Sequence, residues 1–334
     1  MSIHYRQWLL VNRPHGWVQE SNFKLVEAEL PALQDGQLVV KVHYLSLDPY
    51  MRGRMNESKS YAPPQPLNQV MIGGTVGEIV ESKNVNFKAG EMVVGMGGWQ
   101  EYFVSDGVGL MKVDTHALPP TVYLGCMGMP GVTAWYGLIQ ICKPKAGNTL
   151  VVSAASGAVG SVVGQLATIR GCKVVGIAGG QPKCSSVVKE FGFDHCVDYK
   201  SERFLDDFAK ATPNGVDMVF ENVGGALLDA ALARMNDFGR VAICGLIAGY
   251  NGQEMSLKNF ASLLTHRLKV RGFIVSEHME IWGQALKELS GYVIQGKIKY
   301  HQTIAQGIES APRALIGLLK GENLGKQLVK IGED

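Results

Sequence analysis

The sequence predicts an α/β protein of two domains: a doubly wound parallel sheet of six strands and a smaller antiparallel, barrel-like domain. Its 334 residues exceed what one hydrophobic core normally spans, and 46% of them are hydrophobic. Short β-branched runs separated by turns fill the first third, whereas apolar strands alternate with amphipathic helices from about Met129 onward. The first pattern is typical of antiparallel strands, and the second of parallel strands covered by helices on both faces.

The elements follow from these runs in chain order. The barrel-like domain is predicted to contain strands at 37–45, 74–81, 91–96, 101–105 and 110–113. The parallel sheet is predicted to contain strands at 149–153, 173–178, 195–198, 216–221, 240–246 and 269–275. Its helices are expected at 159–170, 182–191, 201–211, 226–235, 257–266 and 279–295.

The last forty residues or so return to strand and helix, at 298–304, 310–320 and 327–331, which is too little for a third domain. We therefore expect them to rejoin the N-terminal domain. The predicted organisation is a substrate domain formed by residues 1–126 and 296–334, with a dinucleotide-binding domain at 127–295 between its two parts.

Charge and composition exclude several classes of function. The net charge is +2 and the basic residues are scattered, so no nucleic acid is expected as a partner. No apolar run approaches the ~20 residues of a membrane helix, and the N-terminus has no signal-peptide core, so we expect a cytoplasmic protein with no membrane partner. The six cysteines form no C-x-x-C pair and the histidines have no ligand spacing, which predicts reduced core thiols and no bound metal.

The segment from Thr149 to Ser161 reads as a buried strand, a glycine turn and the start of a helix. This succession is typical of a Rossmann pyrophosphate site, where glycines allow close approach and the helix N-terminus faces the phosphates. The motif is A-x-G-x-x-G, because Ala155 stands where the usual pattern has its first glycine, before Gly157 and Gly160.

The end of the second strand predicts which dinucleotide is bound. In a sheet of order 3-2-1-4-5-6 the cofactor crosses the carboxyl ends of the strands, and an acid after strand 2 binds the ribose 2′-hydroxyl of NAD. Here that position has no acid and offers Lys183, which would attract a 2′-phosphate. NADPH is therefore favoured over NADH. Tyr199, after strand 3, either adds a hydrogen bond to the same phosphate or is a surface tyrosine at the end of a strand.

Strands 4 and 5 are followed by polar and glycine-rich segments. Asn222 and Gly224 follow strand 4 and are expected under the pyrophosphate and nicotinamide ribose, although asparagine before glycines also makes an ordinary turn. Residues 244–250 follow strand 5 and are expected to line the nicotinamide.

Five segments, in order along nearly the whole chain, resemble the zinc-independent medium-chain dehydrogenase/reductases, in the branch of the prostaglandin and bacterial curcumin reductases. They are 46–53, 128–134, 154–161, 221–225 and 321–326. The resemblance implies a GroES-like β-barrel substrate domain and a Rossmann domain that binds NADPH. It implies that Lys183 and Tyr199 hold the 2′-phosphate and that the turn at Gly157, Ala158, Val159, Gly160 and Ser161 holds the pyrophosphate. The remaining cofactor contacts that it implies are Asn222, Cys244, Gly245, Leu246, Ile247, Tyr250, Phe273, Val275 and Asn323; for Asn323 the alternative is a turn residue before Gly325.

Zinc-containing relatives carry a catalytic Cys/His set and a four-cysteine lobe in the N-terminal domain. This chain has no cysteine before Cys126, and the segment 72–75 lacks the His-Glu pair of those enzymes. Without a Lewis acid to stabilise an alkoxide, the expected chemistry is reduction of a conjugated carbon–carbon double bond, in which the substrate accepts the hydride's electrons as an enolate.

Tyr50 and Tyr250 are the candidate catalytic residues. A phenol has a flat apolar face and a hydrogen-bond donor, so either can bind an enone and steady its carbonyl oxygen; each can also be purely structural. Tyr61 is a further candidate substrate contact, in a segment, 52–66, that is either a flap over the substrate or an inert surface loop.

The predicted function is NADPH-dependent reduction of hydrophobic α,β-unsaturated ketones or aldehydes, such as curcumin-like diketones, oxo-fatty acid or oxo-prostaglandin-like enones, or alkenals. One alternative is an NADPH quinone reductase, and another is an NADPH-binding protein without catalytic activity. The last strand, at 269–275, carries no charge after Arg271 to protect an exposed edge, so we also expect a homodimer formed by pairing of two such edges.

Overall fold

The computed structural model describes residues 3–332, which divide into two compact units. The parallel-sheet unit spans Gly125–His301, and the mixed-sheet unit comprises the chain up to Leu124 together with the chain from Gln302 onward. The α/β class, with a six-stranded doubly wound sheet in one unit and β-sheets in the other, is confirmed. Among residues 3–332 no helix combines the length and the hydropathy that crossing a membrane requires.

The parallel-sheet unit contains six parallel strands. They are β9 Thr149–Ser153, β10 Lys173–Ala178, β11 His195–Asp198, β12 Val216–Glu221, β13 Met235–Ile243 and β14 Lys269–Gly272. Their order across the sheet is β11-β10-β9-β12-β13-β14, which confirms the predicted order 3-2-1-4-5-6. The carboxyl ends of β9, β10 and β12 therefore meet at one edge, where a doubly wound sheet binds its ligand.

Seven α-helices belong to this unit in the part of the chain that is described. They are α2 Met129–Tyr136, α3 Gly160–Ile169, α4 Gln181–Lys189, α5 Phe204–Ala211, α6 Gly225–Leu232, α7 Ser262–Thr265 and α8 Trp282–Ile294. Glycine allows α3 to pack closely: a Cβ added at Gly164 would lie 1.8 Å from Cζ of Phe193, so only a hydrogen fits between the helix and that ring.

Several predicted bounds in this unit are wrong. The fifth strand was expected at 240–246, but β13 begins at Met235 and ends at Ile243, because the N–H groups of Cys244 and Gly245 both donate to the carbonyl of Glu221 (2.9 and 3.1 Å) and the ladder does not advance beyond it. The sixth strand was expected at 269–275 and ends at Gly272. The helix expected at 257–266 is reduced to α7, since before it the N–H of Asn259 donates to the carboxylate of Asp229 (2.7 Å) and not to a helical carbonyl.

The mixed-sheet unit contains two sheets. Three strands, β2-β1-β4, form one, and seven strands form the other, in the order β15-β16-β3-β5-β6-β8 with β7 paired to β3. The strands are β1 His4–Leu10, β2 Phe23–Glu29, β3 Leu38–Ser46, β4 Gln69–Val70, β5 Thr75–Ser82, β6 Met92–Gly95, β7 Tyr102–Ser105, β8 Met111–Lys112, β15 Gln302–Gln306 and β16 Lys326–Lys330. Two helices, α1 Tyr50–Arg54 and α9 Ala311–Leu319, complete it.

This unit differs from a closed antiparallel barrel. No pairing among the described residues joins the two end strands β15 and β8, so the barrel is open, and β15 and β16 run parallel. β16 pairs with β3, and the C-terminal strands thus extend the N-terminal sheet. The strand expected at 298–304 begins only at Gln302. The strands β1 and β2 were not predicted; their side chains are mostly half-buried or exposed, so neither has a clear apolar face.

Candidate functional site

The glycine turn lies between β9 and α3, as predicted. Gly160 is required there, because an added Cβ would lie 2.4 Å from the carbonyl oxygen of Ala154. Ala155, which replaces the usual first glycine, is accommodated by Gly176 on β10: a Cβ at Gly176 would lie 2.7 Å from that of Ala155. The absence of a side chain at Gly176, on the neighbouring strand, therefore makes the space that a glycine at position 155 would otherwise make, and the turn remains closely packed.

The N-terminus of α3 presents backbone N–H groups at this edge. Within residues 3–332 no side chain caps the helix at Val159, and Ala158 and Val159 are half-buried while Ser161 is buried. The N–H groups of Gly157 and Ser161 donate to the carbonyls of Ala154 (2.9 Å) and Gly157 (3.0 Å). The other N–H groups of the turn and the positive end of the helix dipole favour the binding of a phosphate. The predicted pyrophosphate contacts are therefore brought together in one turn of backbone.

Basic side chains converge at the end of β10. Lys183 is in the first turn of α4, and its pKa is lowered by burial and by the nearby charge of Lys200. The ring of Tyr199 packs on Gly179, where an added Cβ would lie 3.0 Å from its hydroxyl oxygen. Two lysines that repel each other beside a phenol favour an anion between them, and no acid follows β10 directly.

Asp198, the last residue of β11, places a carboxylate near this turn, which the sequence did not predict. One of its oxygens accepts the backbone N–H of Gly180 (2.8 Å) and of Lys200 (3.0 Å). Gly180 has φ of +95°, a conformation that favours glycine. Asp198 therefore fixes the two backbone segments that carry Lys183 and Tyr199.

A buried polar cluster supports the ends of β9 and β12. The Ser153 hydroxyl donates to the Glu221 carboxylate (2.7 Å), which also accepts the N–H groups of Val223 (2.6 Å) and Gly224 (2.8 Å). Asn222 donates its N–H to the Ser153 hydroxyl and its side-chain amide to the Ser153 carbonyl, each at 2.8 Å. Burial raises the pKa of Glu221. Asn222 is thus held at the strand end, and Glu221 and Ser153 were not predicted because they look like ordinary strand residues.

The segment after β13 folds over the end of β12. Gly245 and Ile247 donate their N–H groups to the carbonyls of Glu221 (3.1 Å) and Asn222 (3.2 Å). The hydroxyl of Tyr250 accepts the N–H of Leu246 at 3.3 Å, so Tyr250 lies on the same segment as the predicted nicotinamide contacts. Burial, and secondarily the charge of Glu221, raise the pKa of Cys244 to about 12, which keeps this thiol protonated at neutral pH.

Phe273 and Val275 follow β14, and their side chains are buried. The ring of Phe273 packs against Tyr136 with centroids 5.3 Å apart and against Phe220 at 6.2 Å. The carbonyl of Val275 accepts the indole N–H of Trp282 (3.4 Å).

In the mixed-sheet unit, Tyr50 begins helix α1 next to a buried ion pair. Lys326 Nζ lies 3.1 Å from a carboxylate oxygen of Asp48 and donates to the carbonyl of Leu47 (2.6 Å), and the Ser46 hydroxyl donates to the second carboxylate oxygen of Asp48. Two of the segments that carry the family resemblance, 46–53 and 321–326, meet in this contact. Burial, together with Asp48 and Tyr61, raises the pKa of Tyr50, so its hydroxyl keeps its proton and remains a donor.

The other predicted residues of this unit have different surroundings. Tyr61 is 52% exposed. The side-chain amide of Asn323 donates to the carbonyl of Gly325 (2.8 Å). This hydrogen bond fits the alternative role for Asn323, that of a turn residue before Gly325. The segment 52–66 is anchored at both ends, where the Arg52 guanidinium donates to the carbonyl of Gly16 (2.8 Å) and the Gln65 amide donates to that of Val70 (3.0 Å).

Two known protein families match parts of the chain. The family described as the N-terminal domain of oxidoreductase matches residues 6–113, and the one described as zinc-binding dehydrogenase matches residues 158–291. No cluster of three His, Cys, Asp or Glu side chains suited to a metal ion occurs within residues 3–332. The fold and these matches define an oxidoreductase with a Rossmann-type sheet.

Full-length relatives define the family. The chain is 42% identical over 339 residues to the NADPH-dependent curcumin reductase of Escherichia coli, covering 98% of this chain and 97% of that one. It is 42% identical to prostaglandin reductase 1 of Bos taurus, covering 98% and 99%. The crystal structure of CurA in complex with NADPH from Vibrio vulnificus superposes with a TM-score of 0.95 at 42% identity, covering 98% and 100%. The chain belongs to the medium-chain dehydrogenase/reductase family, in the branch of the curcumin and prostaglandin reductases.

Proposed function

We propose that this protein is an NADPH-dependent reductase of the carbon–carbon double bond in hydrophobic α,β-unsaturated ketones and aldehydes. The observation that carries the proposal is the match, over 98% of the chain, to a reductase of curcumin, which is a conjugated diketone. The match spans both units, so it covers the residues proposed for the cofactor and those proposed for the substrate.

The local chemistry fits NADPH. Lys183 and Lys200 repel each other beside Tyr199, and a 2′-phosphate between them would relieve that repulsion. The backbone from Gly157 to Ser161 would hold the pyrophosphate, with the N–H groups of α3 as donors. Asn222, the segment 244–250, the backbone at Phe273 and Val275, and Asn323 are the proposed remaining contacts.

NADPH supplies a hydride from C4 of its nicotinamide to the β-carbon of the enone. The chain's part is to bind the carbonyl end and stabilise the negative charge that builds on its oxygen, usually the largest contribution to catalysis. We assign this to the Tyr50 and Tyr250 hydroxyls as donors, with the apolar face of Tyr50 or Tyr61 against the substrate. The raised pKa of Tyr50 suits a donor that must keep its proton.

A quinone reductase is the second candidate. It would use the same hydride donor but reduce a ring to a quinol. Mixing the purified protein with NADPH and a panel of enones, alkenals and quinones, and following NADPH loss, distinguishes the candidates. Turnover of enones above quinones supports the proposal, turnover of quinones alone favours the second candidate, and no turnover with any of them leaves a non-catalytic NADPH-binding protein.

The proposal also includes a cytoplasmic homodimer. β14 ends the parallel sheet, pairs only with β13 among the described residues, and is exposed along all four of its residues. Two such edges can pair about a twofold axis and continue the sheet. Sedimentation at micromolar concentration tests this, and a monomer would contradict it.

A further inference from the structure

Two cysteines that the proposed reaction does not use lie in contact in the parallel-sheet unit. The sulfur atoms of Cys184, on α4, and Cys196, on β11, are 2.9 Å apart, and both thiols are free. Two other thiols differ sharply: burial raises the pKa of Cys126 and of Cys142 to about 12, so those side chains remain protonated.

The contact makes one proton easy to remove and the second hard. The S–H of Cys196 donates to the sulfur of Cys184, and this hydrogen bond, acting against burial, lowers the pKa of Cys184. The pKa of Cys196 is raised by the same bond and by burial. At neutral pH the pair therefore loses one of its two protons more readily than an isolated buried thiol loses its single proton, and the two sulfurs share the proton that remains. A thiolate is the form that reacts with oxidants.

A small oxidant can reach this pair. A cavity of about 280 Å³ is lined by Cys196 together with Gln181, Asp198, Ser201 and Lys210. Cys184 is buried, with 4% of its surface exposed, whereas Cys196 is half-buried and is one of the residues that border the cavity. This arrangement separates a thiol that meets the oxidant from a second thiol that resolves the product.

We propose that Cys184 and Cys196 form an oxidisable dithiol that a hydroperoxide converts to an intramolecular disulfide. The pair first releases one of its two thiol protons to the solvent, and the remaining proton passes from Cys196 to Cys184, so that Cys196 holds the thiolate. The Cys196 sulfur then attacks one oxygen of the hydroperoxide; the O–O bond breaks, Cys196 becomes a sulfenic acid, and the other oxygen leaves with a proton from the solvent as water or an alcohol. The Cys184 sulfur then displaces the sulfenic oxygen, which leaves with the Cys184 proton as water. Both sulfurs are oxidised and the peroxide is reduced, with no further co-reactant.

The disulfide would form next to the proposed NADPH site. A disulfide bond is about 2.05 Å long, so the two sulfur atoms must approach by roughly 0.9 Å, which changes the contact between α4 and β11. Lys183 precedes Cys184 directly, and Asp198, two residues after Cys196, holds the N–H of Gly180. As a consequence that rests on the proposed function, oxidation moves the Lys183 turn and raises the KM for NADPH at least threefold, and a dithiol reductant reverses the change.

The test uses the full chain, reduced, desalted and treated with excess hydrogen peroxide, then alkylated and digested with trypsin. Cleavage after Lys183, Lys189 and Lys200 puts each thiol in its own peptide, 184–189 and 190–200. We expect these two peptides to appear as a linked pair with the mass of two hydrogens lost. A sulfinic acid at Cys196 with no linked pair, or two alkylated thiols after oxidation, would overturn the dithiol.

Variants test the two parts of the proposal separately, namely the disulfide and its effect on the binding of NADPH. Cys184→Ser and Cys196→Ser should each abolish the linked pair, and Cys172→Ser should retain it. Even if a variant fails to fold, the digest of the wild-type protein shows whether the disulfide forms. The linked pair is detected without NADPH, so its appearance stands if the proposed function fails. A linked pair with an unchanged KM for NADPH would overturn only the link to the cofactor turn.

Discussion

Replacing Lys183 tests whether the 2′-phosphate is recognised by charge. In Lys183→Ala the helix α4 retains its first turn, but the cation beside Lys200 and Tyr199 is lost. We expect the KM for NADPH to rise steeply and that for NADH to stay within twofold of the wild-type value, because NADH has no phosphate to lose.

The magnitude follows from the surroundings of Lys183. Two unit charges about 4 Å apart near a protein surface attract by roughly 4 kcal/mol, before any cost of desolvation. Lys183 is half-buried, with its pKa lowered by burial and by Lys200, so part of that attraction is offset when the phosphate binds. A net loss of about 1.4 to 2.8 kcal/mol corresponds to a 10- to 100-fold rise in KM.

The assay compares initial rates with NADPH and NADH, at low and at high salt, since salt screens an exposed charge pair. Lys189→Ala is the matched control, because Lys189 ends the same helix and is exposed. It should change neither KM by more than about twofold. If Lys183→Ala raised the KM for NADH as much as that for NADPH, the charge argument would be refuted in favour of a general effect on the turn.

The pH dependence has a defined sign. Only protonated Lys183 attracts the phosphate, so this part of NADPH affinity is present below its pKa and lost as the pH rises through it. Since that pKa is lowered, the loss begins at lower pH than for an ordinary lysine. The KM for NADPH should rise on the alkaline side in the wild type and not in Lys183→Ala.

Three further predictions concern other parts of the molecule. Tyr250→Phe should lower kcat for an enone at least tenfold with an unchanged melting temperature, because it removes a donor to the developing charge; wild-type turnover would exclude Tyr250 from the mechanism. Asp48→Asn and Lys326→Met should each lower the free energy of unfolding by about 3 to 5 kcal/mol, since each leaves a buried partner unpaired. The double variant should cost less than their sum in urea titrations, and additive costs would show that the pair is not coupled. Gly164→Ala should destabilise by about 1 to 3 kcal/mol through contact with Phe193, and a higher melting temperature would contradict this.

Much of the parallel-sheet unit could be predicted from the sequence. Strands β9 to β12 match their predicted bounds residue for residue. β9, β10 and β12 are mainly apolar runs, whereas the short β11 has polar residues, His195 and Asp198, at its two ends. Their order follows from the topology that a glycine turn after the first strand indicates, and this places Lys183, Tyr199 and Asn222 at one edge of the sheet.

What the sequence did not predict depends on contacts between distant residues. Glu221 looks like the last residue of a strand, and only the fold shows three donors converging on it. The Cys184–Cys196 pair is separated by twelve residues, with none of the spacing that marks a redox motif. In the sequence Gly176 is only a residue with low strand propensity, and the structure shows that it makes room for the side chain of Ala155. The strands β1 and β2 have no clear apolar face, and a periodicity search misses such strands.

Tracing the hydride tests the central claim most directly. NADPH carrying deuterium at C4 is mixed with the protein and a conjugated enone, and the product is examined by mass spectrometry and NMR. We expect a saturated ketone with deuterium on the former β-carbon and an intact carbonyl. Deuterium on the carbonyl carbon of an allylic alcohol, or equal transfer from deuterated NADH, would contradict it.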